Sequence, residues 1–352
     1  MSDSNSARRA IAEIAFGGVD ITKTIQPYLI SLSYTDNEED ETDDLQIKIQ
    51  DRDQLWLEDW LEESIGAAAS GDLKIEALIV QKNWLGGGGD SVLPCGTFQL
   101  DDVSADGPPS TVTIKATSLP FSGAARQTKK NKAWEAYYLS GIANEIAGNA
   151  GMTCMFETAS DPYYDRVEQF ETSDIEFLST LCHNAGVSLK VTNLIMVLFD
   201  QKAYEEKGSI KTIKKGDGSY VKYKLNTSSA DTQYGSCKVS YTDPESGRLI
   251  SATATAAGDD AKSSQCLSLT FKVASVAEAQ TLAEKNLRLH NKFERQISFT
   301  LPGDTSLVAG VTVQVEGFGG WSGKYIVKQA RHTLSRSGYT TQVTLRRILE
   351  GY

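Results

Sequence analysis

The sequence predicts an α+β protein, mainly β, in which a small α+β domain separates two similar β units. Three observations carry this prediction. First, Gly323-Lys324-Tyr325-Ile326-Val327-Lys328, a polar hairpin near Gly338 and Gln342-Val343-Thr344-Leu345-Arg346 form a closing module. It resembles Gly96-Thr97-Phe98-Gln99-Leu100-Asp101, a Gly107-Pro108-Pro109 turn and Thr111-Val112-Thr113-Ile114-Lys115. The Gly96-to-Gly323 offset is 227 residues and the Val112-to-Val343 offset is 231, which predicts copies that differ by four residues in the turn. Second, Leu45, Ile47 and Ile49 alternate with Gln46, Lys48 and Gln50, the period of a half-buried strand. Third, the period turns helical from Trp134 and returns to strand after Lys222. The expected domains are 1–122, 123–215 and 216–352. A duplicated β unit lets a homotrimer present six similar faces, a structural task.

Along the first unit, strands run from Ile11, through Leu45–Gln50 and Leu73–Trp84, to Phe98–Leu100 and Val112–Ala116. Leu55–Ile65, with Trp56 and Trp60, reads as a short helix or turn, and Gly86–Gly89 as a loop. A basic linker, Arg126 to Lys132, leads to a helix on which Trp134, Tyr137, Tyr138, Ile142 and Ile146 share a face; Gly151 supplies its left-handed stop. Ser173 with Glu176 forms a capping box for a second helix ending at Gly186, followed by the hairpin Val187–Phe199 around Thr192-Asn193. A second basic linker spans Lys211 to Lys215. The closing unit has strands at Lys238–Tyr241, Leu249–Thr255, Leu267–Val273, Ile297–Leu301, Val311–Val315, Tyr325–His332 and Thr340–Ile348. Ser275 and Glu278 cap a helix to about Asn291, packing through Ala279, Leu282, Leu287 and Leu289.

The chain has 352 residues, 40% hydrophobic and 23% charged, and no apolar run approaches the ~20 residues of a membrane helix. No membrane anchor or signal segment is expected. The net charge of −11 argues against specific nucleic-acid binding over the whole surface. Five cysteines, none in a C-x-x-C pair, read as free buried thiols of a reducing cytoplasm. No catalytic constellation is found: His183, His290 and His332 are scattered, with no metal-ligand spacing and no G-x-S-x-G elbow. Gly317 to Lys324 imitates a phosphate loop but fails its spacing and precedes a strand, so it reads as a turn. No cofactor and no metal site are expected.

The run Asp36-Asn37-Glu38-Glu39-Asp40-Glu41-Thr42-Asp43-Asp44 is the strongest charge feature. A calcium site would use such carboxylates, but the glycine and terminal glutamate of an EF-hand loop are missing. The reading preferred is a solvated hairpin tip that protects a strand edge. A third reading makes it an acidic face lining a channel or docking on a basic partner, with Glu38, Glu39, Asp40 and Glu41 as the interaction residues. The two basic linkers lack interleaved aromatics and read as solvated connections.

Gly18-Val19-Asp20-Ile21-Thr22, Asp43-Asp44-Leu45-Gln46-Ile47 and Asp51-Arg52 resemble the opening of the phage late control D and baseplate hub family of tail proteins. Val167 to Leu178 is similar to the family's Q-x-x-E-S-D-x-x-F-L signature, with Thr172 and Ser173 shifted by one residue. Leu301–Asp304, Gly310–Val313, Gly323–Tyr325 and Ser335–Thr341 are similar to its closing barrel. The resemblance implies two tandem β-barrel domains with an inserted α+β domain. It also implies a homotrimeric hub that joins a sixfold tail tube protein to a threefold spike protein among other baseplate proteins. Such a hub is assembled in the bacterial cytoplasm and resides in the virion or a phage-like particle. Because the sequence ends at Tyr352 without an added OB-fold or needle, the spike is expected on another polypeptide. The alternatives are a tail-tip protein of a long flexible-tailed phage, or a tail-associated cell-wall hydrolase.

Overall fold

The computed structural model describes residues 7–52, 73–84, 89–118, 128–159, 161–227, 233–244, 246–257 and 263–349. The expected helix or turn at Leu55–Ile65, most of the Gly86–Gly89 loop and Arg126 lie outside the described residues. The first module contains β1 (Arg9–Phe16), β2 (Val19–Asp20), the one-turn helix α1 (Thr22–Ile25), β3 (Leu29–Asn37), β4 (Asp44–Gln50), β5 (Lys74–Lys82), β6 (Ser91–Asp106) and β7 (Thr111–Thr117). The insert contains β8 (Lys130–Tyr138), α2 (Leu139–Asn149), β9 (Thr153–Glu157), β10 (Tyr163–Thr172), α3 (Asp174–Ala185), β11 (Ser188–Thr192), β12 (Ile195–Phe199) and α4 (Gln201–Glu205). The second module comprises β13 (Lys211–Lys214), β14 (Lys222–Thr227), β15 (Ser236–Thr242), β16 (Leu249–Thr255), β17 (Cys266–Thr270), α5 (Val276–Asn291), β18 (Arg295–Pro302), β19 (Thr312–Glu316), β20 (Gly323–Ser335) and β21 (Gly338–Arg347).

The two modules repeat one strand plan. The first is ordered β1-β5-β6-β7-β4-β3 and the second β13-β19-β20-β21-β18-β14. Strands at matching places in space also match in sequence order. The difference lies in the first pair, antiparallel for β1–β5 and parallel for β13–β19. Both long hairpins carry a bulge four residues past a positive-φ glycine. Pairing shifts after Leu100 in β6 and after Val327 in β20, and Gly96 and Gly323 have φ of 106° and 148°. Glycine relieves the backbone strain that a side chain would meet there.

Register revises the offset read from the sequence. Leu100 faces Ala116, and Val327 faces Leu345. Val343 is therefore the counterpart of Ile114, not of Val112, and the hairpins differ by two residues rather than four.

The expectation of two tandem β-barrels is also corrected. The described strands form one 13-stranded, mainly antiparallel sheet, β14-β18-β21-β20-β3-β4-β7-β6-β5-β1-β2 with β19 and β13 beside β20, and no closed barrel. The modules fuse because the distal half of β20 has an edge free beyond β19, and β3 occupies it from Gln329↔Asn37 to Ser335↔Ser31. At this seam Tyr34 stacks on His332, with ring centroids 6.1 Å apart. His332 Nδ1 lies 2.8 Å from the Tyr339 hydroxyl and its Nε2 3.0 Å from the Leu307 carbonyl.

Among the described residues the alternation gives four cores. Ile14, Leu32, Ile47, Phe98 and Ile114 fill the first module; Phe299, Val313, Tyr325, Val343 and Leu345 fill the second. Trp134, Ile142, Phe177, Leu178 and Met196 fill the insert. Cys237, Val239, Ala279, Ala283 and Leu287 pack α5 on the small sheet β16-β15-β17, with Leu282 partly buried against them.

The caps at Ser173 and Ser275 form as expected, each hydroxyl accepting the N–H of the glutamate three residues on, at 3.3 and 3.1 Å. The helix expected from Trp134 starts only at Leu139: residues 130–138 are strand β8 paired with β10, and Trp134 points from it into the core. Neither basic stretch is a solvated linker among the described residues. Lys130 pairs with Asp174 at 2.6 Å from within β8, and Lys211 pairs with Asp304 at 2.7 Å from within β13. All five cysteines are free; Cys266 is exposed, against the expectation of burial.

Gly303 lies against the Tyr339 ring at the seam, so any side chain at this position would overlap that ring. Gly303→Ala is expected to displace that ring and destabilise the chain by about 1–3 kcal/mol. Urea unfolding measures the loss, and Tyr339→Leu in the same chain should recover part of it.

Candidate functional site

The acidic run is not the solvated tip expected from its composition. Asp36, Asn37, Glu38, Glu39 and Asp43 are all buried, Glu38 to 2% and Asp43 to 0% exposure. The turn between β3 and β4 is wedged between the insert and the second module. Backbone bonds fix it: the Glu38 N–H donates to the Lys328 carbonyl, Asp40 N–H to Leu189, and Ser118 N–H to Asp43.

Glu38, Glu39 and Glu205 each have a cation from elsewhere in the chain. Arg346, fully buried on β21, donates through Nε and Nη2 to both oxygens of Glu38 at 2.8 and 2.6 Å. Its third nitrogen, Nη1, reaches Glu205 at the end of α4, 2.6 Å away. Arg288 of α5 also pairs with Glu205, and Lys292, just past α5, pairs with Glu39. Glu39 accepts in addition from Ser188 Oγ at 2.6 Å and Gln201 Nε2 at 2.5 Å. Three carboxylates thus face three cations, so the cluster is neutral as a unit. Beside it, Asp36 pairs with Lys190 of β11 at 2.5 Å and accepts the Ala309 N–H at 2.8 Å.

Of the four residues singled out for interaction, Glu38 and Glu39 are thus engaged inside the chain, while Asp40 and Glu41 stay at the surface. Asp40 meets His183 Nε2 at 3.0 Å, which raises the histidine above its ordinary pKa. The cations were not identified from sequence. Arg346 sits at the strand parity opposite Val343 and Leu345, where a solvent-facing arginine is unremarkable. Its burial comes from what packs over that face.

The electrostatics follow from burial. Burial alone would raise Glu39, but the Lys292 and Arg346 charges outweigh it and hold the carboxyl at about 2. Burial dominates at Asp43 and pushes it up to about 7; one carboxyl oxygen accepts the Asn37 N–H at 2.9 Å. His332 is pulled down to about 4 by burial, which keeps it neutral at the seam. Among the described residues no group of histidine, cysteine and acidic side chains is placed to hold a metal ion. A cavity of about 700 Å³ opens beside the cluster, lined by Lys202, Glu206, Gln280, Glu284 and Arg288, with both signs of charge present.

The geometry gives a repeated sheet clamped by a buried ionic cluster whose carboxylates and cations pair with one another. Residues 204–346 match the YQBQ-like family. Over 173 residues, 49% of its length, the chain is 26% identical to the probable baseplate hub protein of Escherichia phage 186. Over 182 residues, 51% of its length, it is 29% identical to the probable baseplate hub protein of Escherichia phage P2. These matches span 40% and 42% of the curated relatives' own length. The fold is similar to that of the prophage MuSo2 43 kDa tail protein from Shewanella oneidensis, at TM-score 0.67 and 13% identity, over 96% of this chain and 98% of that one. In sequence and in fold the chain is thus similar to phage tail and baseplate hub proteins.

Arg346→Ala would leave Glu38 and part of Glu205 buried without their partner. It is expected to cost about 3–5 kcal/mol in denaturant unfolding, far more than loss of an exposed ion pair. The pH profile has two opposed slopes. The folded Glu39 lies below its ordinary 4.5, so its contribution is present above that pH and is lost as pH falls toward about 2. The folded Asp43 lies above its ordinary 3.8, so the stability tied to its proton is lost as pH rises from about 4 through about 7. Asp43→Asn should flatten the upper slope alone, read from melting temperatures across that range.

Proposed function

We propose that this chain is a structural baseplate hub of a contractile phage tail or a phage-derived injection particle, acting as a homotrimer between a sixfold tube and a threefold spike. The observation that carries it is the repeated strand plan. One chain holds two modules in the same order, so three chains present six similar β faces while keeping true threefold symmetry. The names of the phage 186 and P2 relatives support the same assignment. In this reading β1–β7 and β13–β21 are the hub modules, and the insert β8–α4 between them decorates them. The protein acts by geometry rather than catalysis, and resides in the virion baseplate with tube, spike and other baseplate proteins as partners. The buried ionic cluster serves this task by fixing the angle between modules, which a ring has to hold constant.

Imaging of intact particles should show three copies in one ring at the tube–spike junction. Six copies, or one, would exclude symmetry matching by duplication. A peptidoglycan zymogram of the purified chain should show no clearing; a cleared band would favour the tail-associated hydrolase instead.

A further inference from the structure

The seam that joins the two modules inside one chain has counterparts left open at the chain's edges. Within the chain, the distal half of β20 pairs with β3. The repeat makes β6 the counterpart of β20 and β14 the counterpart of β3. Yet among the described strands, residues beyond Gln99 in β6 pair with β7 on one side only, and β14 pairs with β18 on one side only. Two edges that are buried against each other in the internal seam are therefore exposed in their second copies. His332 and Tyr34 at the internal seam are 0% and 4% exposed, whereas Ala105, the counterpart of His332, is exposed and Tyr223 of β14 is 43% exposed.

We infer that the free edge of β14 in one protomer pairs antiparallel with the distal half of β6 in the next, in the register that sets Ala105 opposite Leu225 and Asp106 opposite Lys224. The register follows from the repeat. His332↔Tyr34 transfers to Ala105↔Leu225, and Thr333↔Ser33 to Asp106↔Lys224, through the ladders that flank each strand. Charge agrees independently. On the β6 edge exposed Asp106 falls opposite exposed Lys224 of β14, while Asp102, also exposed, already pairs with Lys115 of β7 at 3.0 Å. In the internal seam the Ser33 and Thr333 hydroxyls lie 3.5 Å apart, so side chains at this pair of positions meet across the seam. Opposite charges there add to pairing between protomers, and they keep a lone edge soluble before assembly. The contact is head-to-tail, so repeating it generates a ring when it closes. The inference rests on the hub reading for the number of protomers and adds the surface that joins them.

The test uses the full chain with Cys266→Ser to silence the exposed thiol. Asp106→Cys and Lys224→Cys together, under disulfide-forming oxidation, should give a ladder of covalent species ending at three copies; neither single cysteine should. Lys224→Asp should weaken association about tenfold, and Asp106→Lys added to it should restore most of the loss, which a folding defect would not allow. Trimers by native mass without the cross-link, or equal cross-linking with the cysteine moved from 106 to Ala105, would overturn the seam and leave the hub reading standing. Dimers cross-linked by one cysteine alone would overturn both, since they require a two-fold contact. A chain that stays monomeric and uncross-linked at its highest attainable concentration would overturn the seam, with the hub reading then decided by copy number in particles.

Discussion

The arrangement depends on one guanidinium. Arg346 is fully buried and spends three of its nitrogens on two carboxylates, Glu38 from the first module and Glu205 from the end of the insert. A planar fork suits this better than an ammonium would, because it holds both partners at fixed angles. Desolvating so many charges is costly, and an apolar replacement of equal volume would serve stability as well. The ionic version specifies direction: it joins three separate parts of the chain in one relative placement.

The sheet alone would not fix that placement. Modules joined only by the β20–β3 seam are free to twist about it, since strand pairs tolerate a broad range of twist. The acidic turn removes the freedom. Its backbone is tied to Lys328 on one side and Leu189 on the other, and its carboxylates reach Lys190, Lys292 and Arg346. The insert therefore does more than hang between modules; it supplies one wall of the site.

Local signals in the sequence were legible and long-range ones were not. The caps at Ser173 and Ser275 need only residues three apart, and the alternation of Leu45, Ile47 and Ile49 needs only neighbours. The partner of Glu38 lies 308 residues away, and nothing near Glu38 announces it, so a run of acids read as a solvated tip. The duplication was visible, but its register was off by two in the second strand. A slip of two residues leaves every side chain on its original face, so alternation cannot detect it. Barrel closure was misjudged for a related reason: patterning shows that a strand has two faces, not which edge its neighbour takes. The helical spacing of Trp134, Tyr137 and Tyr138 competed with a strand whose partner, β10, lies later in the chain.

The second module departs from the first in one respect that bears on assembly. Between β14 and β18 it carries β15, β16, β17 and α5, a layer with its own core, and the insert α2–α4 likewise occurs once per chain. In a ring of three chains the repeated strands would read alike at every sixty-degree step, while these additions would recur only at every second step. A partner docking on the strands would count six; one docking on the additions would count three. The same polypeptide would offer both periodicities at once, and where each partner sits would follow from which layer it touches.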